Sequence, residues 1–78
     1  MASIISTYAI SPSREIRIDE VNANLTYLGI ARVDAATSSS IWQIRKIEKV
    51  GAETSIQWAD GNDKFDNVWD NHASLSYS

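Results

Sequence analysis

What this chain lacks limits it most: there is no cysteine and only one histidine among 78 residues. Disulfides, thiolate metal sites and cysteine nucleophiles are excluded together. Zinc sites of the usual kind draw on several cysteines or histidines, so no metal site is expected. A domain this small buries only about 60% of the surface its unfolded chain exposes. Without a brace its core rarely supplies more than about 3–5 kcal/mol. Tight packing or association with neighbours has to provide the rest. Hydrophobic residues make up 44% of the chain, too large a share for a disordered tail. No run approaches the roughly 20 apolar residues of a membrane helix, so no membrane contact is expected. The opening MASIISTYAIS has no basic n-region and is not read as a signal peptide. The net charge of −3 argues against a nucleic-acid partner, because phosphate contacts demand a cationic surface.

Apolar alternation predicts strands along most of the chain. Ile4, Tyr8 and Ile10 share one register before Ser11-Pro12-Ser13 stops the pattern. Residues 1–13 therefore read as an N-terminal arm or edge strand, and residues 14–78 as a single small β domain. In residues 14–21, Ile16 and Ile18 alternate with Glu15, Arg17 and Asp19, a charged pattern suited to an edge. Residues 25–31 are apolar on both registers, and Gly29 marks a bulge or a close backbone approach. A hairpin is expected from residues 41–50 and 54–60, joined by Gly51-Ala52-Glu53. On its first strand Trp42 and Ile44 share one face, and Ile41 and Ile47 the other. On its second, Ile56 and Trp58 point together. Apolar residues on both faces of several strands point to association, as a homo-oligomer or multi-copy subunit.

Asp60-Gly61-Asn62-Asp63 is a turn, since Gly and Asn tolerate positive φ. Phe65, Val68 and Trp69 then fall at helical spacing, so a short helical turn capped by Asp63 is expected near residues 63–70. The alternation of residues 73–77 predicts a closing strand. The fold class is all-β, a small antiparallel sandwich or barrel-like domain. Ile44, Ile56, Trp58, Phe65 and Trp69 are its expected core. Ile4, Tyr8, Ile10, Tyr27 and Trp42 are its expected interaction residues.

No constellation argues for catalysis. Asp70, His72 and Ser74 lie within five positions, too close along one segment for triad roles that need convergent elements. The Asp- and Asn-rich stretch from Asp60 to Asn71 offers oxygen ligands, but its order does not match a calcium loop. Turn formation explains it better. No phosphate loop or dinucleotide fingerprint is present, so neither an enzyme nor a cofactor is expected. A sugar-binding platform built on Trp42, Trp58 or Trp69 is the alternative of another class.

Several blocks carry a resemblance: Tyr27-Leu28-Gly29-Ile30-Ala31, Ile41-Trp42-Gln43-Ile44-Arg45-Lys46-Ile47, Trp58-Ala59-Asp60-Gly61-Asn62, and Phe65-Asp66-Asn67-Val68-Trp69-Asp70-Asn71 with Ser74-Leu75-Ser76-Tyr77. Together they resemble a group of very short virion-associated proteins of tailed bacteriophages, over roughly the last two thirds of the chain. Where that group often has Arg before the final Ala-Ser-Leu, this chain has His72. The resemblance implies a virion structural protein, made in the host bacterial cytoplasm, whose partners are other virion proteins. The expected placement is a tail, baseplate or fibre-associated adaptor, with a head decoration or head-fibre base protein as the alternative.

Overall fold

The computed structural model describes residues 14–78. The expectation at Ile4, Tyr8 and Ile10 lies outside these residues. The described chain is an all-β domain with one short helical segment. Its strands run β1 (Arg14–Asn22), β2 (Leu25–Arg32), β3 (Ser40–Val50), β4 (Glu53–Trp58) and β5 (Asn67–Val68), followed by a 3-10 helix at Trp69–Ser74. The first four form an antiparallel meander in the order β1-β2-β3-β4, and β5 pairs with the start of β3.

Register assigns every side chain to a face. The first face carries Tyr27, Gly29 and Ala31 from β2 and Trp42 and Ile44 from β3. The second carries Ile16 and Ile18 from β1, Leu28 and Ile30 from β2, Arg45 and Ile47 from β3, and Ile56 and Trp58 from β4. The connection between β3 and β4 decides this arrangement. Val50 pairs with Glu53, leaving a two-residue turn of Gly51 and Ala52. Gly51 sits at φ +62, the left-handed first position that a type II′ hairpin turn requires. A three-residue connection would place Ile56 and Trp58 beside Trp42 and Ile44. One residue fewer sets Ile56 opposite Ile47, on the second face.

The C-terminal segment forms a layer on the first face. Trp42 and Ile44 are fully buried there, with Tyr27, Ala31, Ala35, Ala59 and Trp69 around them. Gly29 allows the layer to come close. A Cβ on Gly29 would stand 2.5 Å from Trp69 Cε3 and 3.1 Å from Trp42 Cε3. The glycine is thus a close approach and not a bulge, since its pairing with Arg17 and Ile44 is unbroken.

The helical turn begins later than its spacing predicts. Asn67 is buried, and its amide donates to the carbonyls of Trp42 (3.1 Å) and Lys64 (3.5 Å). Those bonds hold Asn67 and Val68 extended against β3, so helical backbone starts only at Trp69. Its cap position is Val68, with no side-chain capping bond, and Asp63 plays no capping part. Phe65 and Trp69 are parted as a result. Trp69 joins the core, while Phe65 stays 43% exposed, with Arg14 lying 5.4 Å above its ring. Beyond the helix the chain is extended only briefly, through a bridge between Tyr77 and Ala59. The turn at Asp60-Gly61 is the one its sequence predicts, with φ +57 and +70.

Candidate functional site

Two places bring chemistry together. The first is where the C-terminal layer meets β1 and β2. His72 Nε2 lies 2.8 Å from Asp19 Oδ2, and Nδ1 lies 2.8 Å from the Trp69 carbonyl. The imidazole stacks on Trp69 at 4.1 Å and meets the Tyr27 ring edge-on at 4.9 Å. The Tyr77 hydroxyl donates to the His72 carbonyl at 2.6 Å. Burial, helped by Tyr27 and Asp60, pushes the Tyr77 phenol well above its ordinary range, so it remains a donor.

The two partners of the imidazole are a carboxylate and a backbone carbonyl, so both ring nitrogens are engaged by contacts within the chain. Asp70 and Ser74 do not complete a triad with His72: Ser74 Oγ donates to the Asn71 carbonyl, and the carboxylate on His72 comes from Asp19, 53 positions away. The cluster fastens the C-terminal layer onto the edge strand. Among the described residues, no group of three or more His, Cys, Asp or Glu side chains is placed to hold a metal.

The second place is the other face of the sheet. Leu28 and Ile47 are buried at its centre, while Ile16, Ile18, Ile30 and Trp58 are half-buried and Ile56 is 53% exposed. Arg45 lies over the Trp58 ring at 4.5 Å and donates to Gln43 Oε1 at 2.8 Å. Gln43 in turn donates to the Asp63 carbonyl at 2.8 Å, tying the loop after β4 to one end of this face. This apolar sheet face, fringed by arginines and a glutamine, leaves several of its side chains partly in water.

The structure redistributes the residues expected here. Tyr27 and Trp42, expected at an interaction surface, are core residues, because the C-terminal layer covers them. Ile44 and Trp69 are core residues. Ile56 and Phe65, expected in the core, are exposed, and Trp58 is half-buried. The pairing of His72 with Asp19 was not foreseen from the sequence. Its only sequence signal was an acidic residue on a strand otherwise patterned as an edge. No family model, curated protein or solved structure matches this chain.

Proposed function

We infer that this chain is a structural docking subunit of a tailed-phage particle, an adaptor that joins larger proteins at the tail, baseplate or fibres. The observation that carries this reading is the second sheet face, where Ile16, Ile18, Ile30, Ile56 and Trp58 keep part of their surface exposed. A chain with so small a core gains from having that face covered. Ser74 Oγ turns to the Asn71 carbonyl and not to His72, which speaks against a serine nucleophile at the one histidine. Burial of Trp42 and Trp69 removes two of the three platforms a sugar would need, and Arg45 lies over the ring of the third, Trp58.

Immunogold labelling of intact particles tests the placement. Label at the tail is the expected result. Label on the head would transfer the protein to the decoration or fibre-base role, and particles without label would end the virion reading. Binding of the isolated chain on a glycan array would favour receptor recognition instead.

A further inference from the structure

The outer edge of β4 is built differently from the outer edge of β1. Trp58 directs both its backbone groups away from β3, donating to the Ser78 carbonyl at 2.9 Å and accepting from the Ser78 amide at 3.1 Å. In an antiparallel ladder this direction recurs at every second residue. Thr54 and Ile56 therefore aim their N–H and C=O groups the same way. Among the described residues no strand takes them up: the C-terminal segment follows β4 only as far as Trp58. Residues 53–56 are exposed. The open stretch runs from Glu53 to Gln57, with Ser55 at its middle, between the Gly51–Ala52 turn and Ser78.

The edge of β1 is guarded. Arg14, Glu15, Arg17, Asp19 and Glu20 crowd one strand of 9 residues, and its register shifts between Glu20 and Asn22. Charges and bulges of this kind keep an edge strand from pairing with another chain. β4 has neither device, and Glu53 is its one charged residue.

We propose that β4 is a self-pairing edge, through which two copies of this chain join antiparallel about a two-fold axis at Ser55. In that register Thr54 of each copy pairs with Ile56 of the other, and all the outward backbone groups of both residues are used. Glu53 comes opposite Gln57, Ser55 comes opposite itself, and no like charges meet. The two Ile56 side chains become diagonal neighbours on the second sheet face, close enough to touch. A two-fold contact uses the same patch on both copies and closes on itself. The guarded β1 edges end up outermost, so pairing stops at two copies. The inference rests on backbone direction and edge chemistry, not on placement in a particle.

The test is the mass of the full chain in solution through a dilution series, with twice 8.7 kDa expected at the concentrated end. Thr54→Pro removes an outward N–H and leaves the β3–β4 ladder intact, so it should give a monomer with an unchanged strand spectrum. Ser55→Cys supplies a second reading that does not depend on the proline variant folding. Residues facing each other at a non-hydrogen-bonded position lie about 4.5 Å apart at Cα, within disulfide reach. Mild oxidation should therefore link Ser55→Cys into covalent dimers and leave Glu53→Cys unlinked. A monomer at every concentration, a dimer that ignores Thr54→Pro, or linkage of Glu53→Cys as fast as Ser55→Cys would overturn the proposal.

Discussion

The two faces of one four-stranded meander have opposite fates. On the first, Trp42 and Gly29 of the sheet meet Trp69 of the C-terminal layer, and Trp42 and Ile44 are removed from water altogether. On the second, an apolar set spreads over four strands, and one of its two β4 members, Ile56, stays 53% exposed. Apolar content does not separate them. The difference is whether a segment of this chain comes back to cover the face. The first face is where the fold gets its stability, and the second is where a partner can add more.

Substitutions can break that contrast, and the heaviest blow should fall on the covered face. Trp42→Ala deletes a fully buried ring and should cost about 3–5 kcal/mol, enough to unfold a domain of this size. Loss of the cooperative melting transition is the expected reading, and a normal melt would mean the core lies elsewhere. Gly29→Ala tests the close approach of the C-terminal layer. Its new Cβ meets Trp69 and Trp42, so overpacking should cost about 1–3 kcal/mol, read as a lowered denaturant midpoint.

Tyr77→Phe removes the hydroxyl bonded to the His72 carbonyl and should cost about 1 kcal/mol at neutral pH. The same change has a pH signature. Folding raises the Tyr77 phenol above its unfolded value of about 10, so its stabilising contribution is complete below that pH. As pH climbs past it, the unfolded chain loses its proton first and stability falls. Phe at position 77 should therefore make the alkaline fall in melting temperature less steep; an unchanged slope would discard this reading of Tyr77. At dilutions where the chain is monomeric, Ile56→Ser should do least, within about 0.5 kcal/mol, as surface changes do. A large loss there would show that the second face is a second core, and the contrast would disappear.

Much of the strand pattern could be read from the residues. The charged alternation of Arg14 to Glu20 marked an edge, and among the described residues β1 pairs on one side only. Asp60-Gly61-Asn62-Asp63 marked a turn, and Gly61 adopts the positive φ expected of it, although its companion there is Asp60 and not Asn62. Gly29 signalled unusual closeness, although the sequence did not name Trp69 as its neighbour. The membership of the core was less legible. The hairpin turn is one residue shorter than Gly51-Ala52-Glu53 suggests, and in a sheet one residue is enough to turn Ile56 and Trp58 to the opposite face. The helical spacing of Phe65 and Trp69 misled for another reason. Asn67, buried between them, binds the Trp42 and Lys64 carbonyls and holds the backbone extended. No window of local sequence contains both Asn67 and Trp42, 25 positions apart.

The sequence by itself determined that this chain is β-rich, free of covalent braces and supplied with more apolar surface than a single small core can use. These properties follow from composition and period, which act locally along the chain. Tertiary structure decided which apolar surface is buried in the fold and which stays partly in water. That choice depends on one turn length, one buried asparagine and the return of the C-terminal layer over Gly29. The turn is local, but the asparagine and the C-terminal layer act through contacts between distant positions, whose energy exists only once the chain has closed on itself.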